Sequence, residues 1–356
     1  MKINFIRRSF RFDGGAEVAA NSFINALSEI GELQLICESW SGDLLNRIGL
    51  HELGVQGYTR AKRYSNFIRT ASLRASSDNA ITHSHEWVPG SDILRLGDGL
   101  HSQWLDIRKV SNLIRKLDGY HRRKLRFEKE SIQHPDLKAI ICNSNYIKNQ
   151  VLERYEIDAS KLHVIRNIVT EEYKAFDPFS VERLENKLLF VGSGWERKGL
   201  CDALKAFAVL PLEWTFDVVG SDKSTYKYKK LAIDLGVDNR VNFLGAFPLT
   251  PEKYAQSTVM IHPALYEPFP NVATEALSQG VPIVSSHSSG TSDFDNNQGV
   301  WTVANDPQKL AENVLLASNV DKEDRKLFRQ HILKFDEAYL DTEVRSLYSK
   351  LVASEI

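Results

Sequence analysis

Two glutamates, Glu267 and Glu275, flank a segment whose residue types suit the binding of an anion. From the apolar run that ends at His262, the chain passes through a proline-stiffened loop into a predicted helix that begins near Pro270 or Asn271. The free N–H groups of a helix start bind phosphates, and the helix dipole adds a favourable field. Glu275 would then accept hydrogen bonds from ribose hydroxyls and Glu267 from the hydroxyls of a sugar. By spacing alone, Glu275 also fits an ordinary first-turn partner of the helix dipole, since acidic residues are common there.

Two adjacent cations, Arg197 and Lys198, end a glycine-bearing loop that starts at Gly192, directly after the apolar run 189–191. The loop is not a dinucleotide fingerprint, because the third glycine of GxGxxG would fall at Arg197, and it lacks the Gly-Lys-Ser/Thr of a P-loop. The fork of an arginine and the point charge of a lysine suit the neutralisation of a departing nucleoside diphosphate. The alternative is a solvated basic turn.

A pair of glycines, Gly14 and Gly15, follows the first apolar run and precedes a helical stretch over 18–27. Paired glycines let the backbone approach a ligand closely, and they also serve as simple tight turns. Their position at the carboxyl end of a predicted strand favours the binding role, because ligands of parallel sheets bind there.

The composition narrows the classes of protein that the chain can belong to. Its 356 residues, 42% hydrophobic and 26% charged, suit about two globular domains. A net charge of -1 argues against a nucleic-acid binder, so we expect no nucleic-acid partner. Cys37, Cys142 and Cys201 are odd in number and widely spaced, which predicts neither disulfides nor a zinc site and fits a reducing cytosol. Without a signal peptide or an apolar run of ~18 residues, we expect a soluble or peripheral protein.

Two series of short apolar runs alternate with amphipathic segments and predict strands and helices in turn. The first series comprises 3–6, 33–37, 80–82, 139–142 and 162–165, and the run 92–96 is also strand-like. The second series, after a polar stretch over 170–187, comprises 188–191, 215–219, 241–244, 259–262 and 282–285. We therefore predict an α/β protein with two doubly wound parallel sheets and an active site between the two domains. The expected domains are 1–170 and 171–337, followed by terminal helices of which one, over about 338–356, crosses back to the first domain.

In their order and spacing, these motifs resemble the retaining glycosyltransferase family 4, which has the GT-B fold of two Rossmann-like domains facing a central cleft. Glu267 and Glu275 match its Glu-x7-Glu signature, Arg197 and Lys198 its donor-diphosphate cations, and Gly14 and Gly15 its first-domain phosphate loop. The further matches are Asn143-Ser144, Val219-Gly220 and 241–245, which ends at Gly245 before the base pocket.

The resemblance implies transfer of a sugar from a nucleotide-sugar donor with retained configuration, in which the departing phosphate helps to take the acceptor proton. Glu267 would orient the sugar and Glu275 the ribose, while Asp98 and His101 would face the reacting sugar from the first domain. Pro270 stands where many members have glycine. Because proline has no N–H, the diphosphate contacts would come from Asn271 and Val272.

No metal or other cofactor is expected. His83 and His85 are two residues apart and lack a third ligand. Asp293, Phe294 and Asp295 form the DxD metal motif of a different glycosyltransferase fold, but they lie late in the chain, where we expect a loop.

Within the family, segments 38–43, 192–199 and 218–223 are similar to the lipopolysaccharide-core glucosyltransferases that act on heptose. This implies UDP-glucose as donor, a lipopolysaccharide-core or related glycolipid acceptor, and a peripheral position on the cytosolic face of the bacterial inner membrane. Segment 107–129 interleaves cations with apolar residues up to Phe127 and is the predicted docking element for an anionic membrane surface. Its candidate docking cations are Arg115, Lys116, Arg122, Arg123, Lys124 and Arg126. The alternative is a surface helix with a cationic face.

Three other functions stay open at this point. A GT-B nucleotide-sugar epimerase shares the architecture without transfer to an acceptor. A glycoside hydrolase would need Glu267 and Glu275 to flank one bond, which a carboxylate beside a phosphate site fits poorly. A catalytically silent nucleotide-sugar-binding or membrane adaptor protein would need only the basic segment and a binding site.

Overall fold

The structure is a computed structural model that describes residues 1–9, 15–40, 48–76 and 79–353. The chain divides into two compact units: unit 1 is Met1–Arg166 with Glu337–Ile356, and unit 2 is Asn167–Asp336. Gly14 and residues 41–43 of the predicted motifs lie outside the described residues, so the phosphate loop of the first domain stays a prediction.

The described part of unit 1 is built on a seven-stranded parallel sheet with helices in the connections. Its strands are β1 (Lys2–Ile6), β2 (Glu32–Cys37), β3 (Gly49–Glu52), β4 (Ile81–Ser84), β5 (Ile93–Leu96), β6 (Ala139–Cys142) and β7 (Leu162–Val164). Its first helices are α1 (Gly15–Ser28), α2 (Arg60–Ser76), α3 (His101–Ile107), α4 (Asn112–Leu117), α5 (Gly119–Ile132) and α6 (Asn145–Arg154). The strand order is β3-β2-β1-β4-β5-β6-β7, with every pairing parallel.

Unit 2 repeats this architecture on a six-stranded parallel sheet. Its strands are β8 (Lys187–Val191), β9 (Thr215–Val219), β10 (Val241–Gly245), β11 (Val259–His262), β12 (Ile283–Ser286) and β13 (Val300–Val303). Its helices are α7 (Glu171–Ala175), α8 (Trp195–Lys198), α9 (Leu200–Ala208), α10 (Thr225–Asp234), α11 (Pro251–Ala255), α12 (Asn271–Ser278), α13 (Pro307–Ser318) and α14 (Lys322–Ile332). The strand order is β10-β9-β8-β11-β12-β13.

The sequence predicts the inner strands, which are apolar runs buried on both faces as a parallel sheet with helices on both sides requires. It also predicts two of the four edge strands, β7 and β10. Two edge strands were not predicted. The residues of β3 are mostly exposed, and β13 is buried only at Val300, so neither has the continuous apolar run of an inner strand.

The last helix, α15 (Glu337–Ala353), belongs to unit 1, as the predicted crossing-back of the chain end requires. Its face of Leu340, Val344 and Leu347 is buried, and the hydroxyl of Tyr348 lies 2.9 Å from Nδ1 of His83 in the core. Burial lowers the pKa of His83 to about 3, so this imidazole is a neutral core side chain.

Both sheets reverse their strand order at one point, between β1 and β4 in unit 1 and between β8 and β11 in unit 2. The segments that follow the two strands at this point run to opposite sides of the sheet. They therefore leave a crevice between them, outside the carboxyl ends of the strands. In unit 2 this places the segment after β8, which carries Arg197 and Lys198, beside the segment after β11, which carries Glu267.

Two glycines that flank α8 have the same left-handed backbone but different surroundings. Gly194 has φ +73° with open space where a Cβ would stand, whereas Gly199 has φ +77° and a Cβ there would overlap the carbonyl oxygen of Pro263. We expect Gly194→Ala to lower the free energy of unfolding by about 1 kcal/mol, the cost of the left-handed conformation. Gly199→Ala should lower the free energy of unfolding by about 3 kcal/mol, because the overlap of the added Cβ with the carbonyl oxygen of Pro263 adds to the cost of the left-handed conformation. Urea unfolding of both variants measures the difference, and equal losses would contradict the close approach to Pro263.

Candidate functional site

Arg197 and Lys198 lie in the short helix α8 and not in the loop that the sequence predicted. The indole of Trp195 anchors this turn: the side chain is buried, and its Nε1 donates to the carbonyl of Gly192 at 2.9 Å. Its backbone N–H donates to Asp222 Oδ2 at 3.0 Å, which ties the turn to the segment after β9. The two cations are therefore held by a packed turn.

A buried carboxylate joins these two cations. Glu267 is 8% exposed, and its Oε2 lies 2.8 Å from Nη1 of Arg197 and 3.1 Å from Nζ of Lys198. Burial raises the pKa of Glu267, but the charges of Lys198 and Arg197 outweigh it and hold that pKa at about 2. Glu267 is thus an acceptor-only carboxylate, and the interpretation of Arg197 and Lys198 as a solvated basic turn is wrong.

The backbone fixes Glu267 from both sides. Its N–H donates to the carbonyl of Ser288 at 3.0 Å, and its carbonyl accepts from the N–H of Gly290 at 2.8 Å, so the segment after β12 clamps it. Lys198 reaches Glu267 by passing over Gly192, where an added Cβ would stand 2.5 Å from Cδ of the lysine. Gly192 is therefore required for the path of the Lys198 side chain.

Helix α12 begins at Asn271 with Pro270 as its N-cap, as predicted, and no described side chain caps its first turn. Oδ1 of Asn271 accepts from Nδ2 of Asn167 at 2.6 Å, and the same amide group donates to the carbonyl of Phe269 at 3.2 Å. Val272 is the second residue of the helix. The start of α12 is thus oriented by Asn167, at the first residue of unit 2.

Glu275 is the fifth residue of α12 and lies beyond its first turn, which contains no acidic residue. The interpretation of Glu275 as a first-turn dipole partner is therefore wrong. The hydroxyl of Tyr254, a fully buried residue of α11, donates to Oε2 of Glu275 at 2.5 Å. Burial raises the pKa of Glu275, against the opposing effects of the Tyr254 hydrogen bond and the charge of Lys198.

Two of the predicted glycines lie at strand or helix ends. Gly245 ends β10 with φ +81°, and its carbonyl accepts from the N–H of Gly220 at 2.8 Å. Gly15 is the first residue of α1. The role of either in ligand binding stays a prediction.

In unit 1, His101 is the first residue of α3 and Asp98 is an exposed residue of the segment after β5. The buried carboxylate of Glu128 accepts from the backbone N–H groups of His101, at 2.5 Å, and Ser102, at 3.2 Å. Nε2 of His101 lies 3.0 Å from Nδ1 of His121. Burial, with nearby charge from Lys124, lowers the pKa of His101 to about 3, so the ring is neutral near pH 7.

The predicted docking segment is not one helix. The chain breaks between α4 and α5 at Asp118, which caps α5 by accepting from the N–H groups of Tyr120 and His121. The break leaves an exposed apolar cluster on α4, namely Leu113 (67%), Ile114 (53%) and Leu117 (72%). Phe127 is buried, so its predicted contact with lipid is wrong.

Several of the predicted docking cations have partners inside the protein. Arg115 pairs with Asp106 at 2.6 Å, Arg126 pairs with Glu130 at 2.7 Å, and Arg123 donates to the carbonyl of Gly119. Lys124 lies over the rings of Tyr64 and Tyr120. Lys116 and Arg122 are exposed.

Sequence reasoning missed Tyr254, Glu128, His121 and Asn167 as parts of these sites. Asn167 lies between β7 and α7, where no motif marks it. The other three are ordinary helix residues, and no spacing relates Tyr254 to Glu275 or Glu128 to His101, since tertiary packing alone brings them together.

Comparison with known proteins supplies the family. Residues 13–173 match the model of Glycosyltransferase Family 4, and residues 174–332 match that of Glycosyl transferases group 1. Lipopolysaccharide glucosyltransferase WaaG of Escherichia coli (strain K12) is 21% identical over 293 residues, 77% of each chain. Lipopolysaccharide 1,6-galactosyltransferase of Salmonella typhimurium (strain LT2) is 23% identical over 307 residues, 80% of each chain.

Solved structures agree on the fold. A crystal structure of WaaG superimposes with a TM-score of 0.80 at 19% identity, covering 96% of this chain and 98% of that one. The Anabaena HepE structure in complex with UDP gives 0.75 at 16% identity and covers 98% and 100%. The two matched family models together span residues 13–332, and both sheets have the doubly wound parallel order of this fold. The chain therefore belongs to the glycosyltransferases of the GT-B fold, with a family 4 domain followed by a group 1 domain.

Proposed function

We propose that this glycosyltransferase moves a hexose, glucose from UDP-glucose, with retained configuration onto a sugar hydroxyl of a lipopolysaccharide core or related glycolipid. The observation that carries the proposal is the Glu267 carboxylate held between Arg197 and Lys198 where the unit 2 sheet reverses. The names of the relatives support it: two act on lipopolysaccharide, and HepE binds UDP.

Glu267, Arg197 and Lys198 form an ion triad whose charges suit the binding of a nucleoside diphosphate. Two cations share one carboxylate, so one positive charge is in excess before the donor binds. Arg197 offers a fork of donors and Lys198 a point charge, which together stabilise the charge that develops as the glycosidic bond to the diphosphate breaks. Because these side chains are already fixed by Glu267 and the α8 turn, little reorganisation accompanies that stabilisation. No bound metal or other cofactor is required for this task.

Glu267 itself suits the hydroxyls of the transferred sugar. A carboxylate with a pKa of about 2 only accepts hydrogen bonds near neutral pH, and hydroxyls are donors. Since Oε2 is taken by the two cations, Oε1 is the oxygen that would receive the sugar.

The start of α12 provides the second part of the donor site. Asn271 and Val272 are its first two residues, and the N–H groups of a first turn point outwards along the helix axis towards an anion. Glu275, about one turn further along, would accept from the ribose hydroxyls. Tyr254 holds one of its two oxygens and leaves the other for ribose.

On the acceptor side, Asp98 and the neutral His101 are the proposed groups near the reacting hydroxyl. In a same-face transfer the departing phosphate takes the acceptor proton, so the protein needs to orient the acceptor and needs no nucleophile of its own. Glu128 fixes the backbone of His101 and therefore acts as a positioning residue.

The enzyme would reach a lipid-linked acceptor as a peripheral protein on the cytosolic face of the inner membrane. No helix in the described part of the chain is long and apolar enough to span a bilayer. The exposed cluster of Leu113, Ile114 and Leu117 stands beside the exposed cations Lys116 and Arg122, a combination that suits an anionic interface.

A substitution that removes the charge of Glu267 tests its ion triad with Arg197 and Lys198. Glu267→Gln keeps the shape but removes the charge, so the sugar hydroxyls face a neutral amide in place of a carboxylate and the two cations lose their counter-charge. We expect kcat for transfer to fall about 100-fold or more. The measurement is UDP release from UDP-glucose with a truncated core acceptor, beside a circular dichroism spectrum that shows the variant folded.

Glu252→Gln is the matched control, because Glu252 is an exposed glutamate of α11 whose change removes the same charge. A folded Glu267→Gln enzyme with wild-type kcat would refute the donor-site assignment. Conversion of the donor sugar without any acceptor would instead indicate an epimerase.

A substitution of Tyr254 tests the proposed contact of Glu275 with ribose. Tyr254→Phe removes the hydrogen bond that orients Glu275 and keeps the buried ring. Because ribose is far from the bond that breaks, we expect the KM for UDP-glucose to rise about tenfold, equivalent to the loss of one hydrogen bond to a charged group, while kcat changes little. Steady-state kinetics with varied donor separate the two constants. An unchanged KM with a reduced kcat would contradict the ribose role of Glu275.

Removal of the exposed apolar cluster of α4 tests its proposed contact with a membrane. Replacing Leu113, Ile114 and Leu117 by serine removes the apolar contact while leaving every cation in place. We expect the affinity for phosphatidylglycerol vesicles, measured by cosedimentation, to fall at least tenfold, since even one fully covered side chain contributes about 1.5–3 kcal/mol at an interface. Leu73→Ser, an exposed leucine of α2, is the control. Equal vesicle binding by all three proteins would exclude α4 as the docking element.

A further inference from the structure

A cluster of cationic and aromatic side chains lies at the carboxyl edge of the unit 1 sheet. The roles proposed for Asp98 and His101 do not explain why these side chains are gathered there. Arg8 follows β1 by two residues, at the point where the strand order reverses. Its guanidinium carbon is 5.9 Å from the centre of the Tyr64 ring, and Nζ of Lys124 is 5.8 Å from the same centre. Nζ of Lys124 is also 5.8 Å from the centre of the Tyr120 ring, over which Arg60 lies at 4.0 Å.

The two rings hold the three cations together. The ring centres of Tyr64 and Tyr120 are 5.7 Å apart, and Arg60 also donates to the Tyr120 hydroxyl at 3.1 Å. Like charges repel at such spacing, so the arrangement costs free energy unless an anion joins it. Cation–π contacts offset part of that cost and fix the position of each charged group.

The nearby carboxylates are mostly engaged elsewhere. Glu38 accepts from Arg8 at 2.7 Å and from Arg63, and Asp118 accepts from the backbone at the start of α5. Glu86 lies close enough to Lys124 for their charges to interact, but no ion pair joins them. In the described part of the chain, Arg60 and Lys124 form no ion pair.

The start of α2 beside the cluster adds to its positive potential. In α2 the first turn contains Arg60, Lys62 and Arg63 and no acidic residue, although cations are unfavourable at a helix N-terminus. The start of α5 lies beside it, because a Cβ on Gly119 would lie 3.8 Å from Cβ of Ala61, but the carboxylate of Asp118 caps that start and offsets its dipole. The dipole of α2 and the cations of its first turn are thus the contribution of the helix ends to the cluster.

A buried donor lies among these groups. Tyr64 is 1% exposed, and its hydroxyl has no hydrogen-bond partner within the described ranges, although a buried hydroxyl normally has one. Arg8 and Glu86 are among the charges that act on this hydroxyl, so it faces the same cluster.

We propose that Arg60 and Lys124, with Arg8 beside them, bind a phosphoryl group carried by the acceptor. A phosphate monoester brings close to two negative charges and three acceptor oxygens, which matches one arginine fork and one lysine without carboxylate partners in the ranges that the structure describes. The carboxyl edge at the reversal point is where ligands of such sheets bind, which favours a substrate group over a membrane headgroup. The inference rests on the proposed function only in taking the phosphoryl group to be part of the acceptor. It assigns Lys124 to substrate binding and not to the docking face.

Direct binding tests the site without any transfer. Inorganic phosphate is titrated into the full-length protein in a calorimeter at constant ionic strength. We expect Lys124→Met and Arg60→Gln each to weaken binding at this site at least tenfold, whereas Arg69→Gln, which removes an exposed cation of the same helix α2, keeps the wild-type isotherm. Any phosphate bound by the cations of unit 2 contributes equally to all four isotherms. Identical isotherms for the four proteins would overturn the proposal.

Kinetics connects the site to the acceptor. A phosphate-bearing core acceptor and the same acceptor after phosphatase treatment are compared with wild type, Lys124→Met and Arg69→Gln. We expect the wild type and Arg69→Gln to have a KM about tenfold lower for the phosphorylated acceptor, and Lys124→Met to have nearly equal KM values for the two.

The remaining outcomes are distinct. Loss of the phosphate isotherm in Lys124→Met, together with no transfer to either acceptor by the wild type, would support the anion site and refute the proposed activity. A wild-type phosphate isotherm in Lys124→Met combined with weaker cosedimentation with phosphatidylglycerol vesicles would assign the lysine to lipid headgroups and overturn the proposal.

Discussion

The buried contact of Glu267 with Arg197 and Lys198 is the interaction on which the proposed donor site of this glycosyltransferase depends. It joins two segments that are distant in the chain but follow adjacent strands, β8 and β11, at the reversal of the sheet. A buried carboxylate is stable only when its charge is compensated, so each member of the triad requires the others. The path of Lys198 over Gly192 and the backbone clamp at Ser288 and Gly290 follow from that requirement.

The inner strands, the start of α12 and the grouping of the proposed donor residues could be predicted from sequence, because each has a local cause. Apolar runs buried on both faces mark inner parallel strands, and Pro270 marks the start of α12. The edge strands β3 and β13 lack that apolar signal and were missed. Arg197 and Lys198 were placed in a loop because nothing local shows that Trp195 packs beneath them to close a helical turn.

Relations between side chains of different elements could not be predicted. The charge pattern of α4 and α5 indicated six docking cations, but a sequence does not show which cations have partners inside the protein. Arg115 pairs with Asp106, and Lys124 lies over two tyrosine rings, so only part of the pattern is a solvated face. In the same way, the raised pKa of Glu275 and its contact with Tyr254 arise from burial that spacing does not encode.

The two units solve a similar electrostatic problem with the same device. In unit 2, Glu267 lies between Arg197 and Lys198, and in unit 1, Glu38 accepts from Arg8 and Arg63. In each case one carboxylate holds two cations at the carboxyl edge of a parallel sheet and leaves a positive excess. A carboxylate in this position fixes the cations in advance, so an incoming anion meets ordered donors and does not have to order them. Unit 1 adds Arg60 and Lys124, which have no carboxylate partner among the described residues, and this excess of positive charge is what distinguishes the proposed phosphoryl site from a structural ion pair.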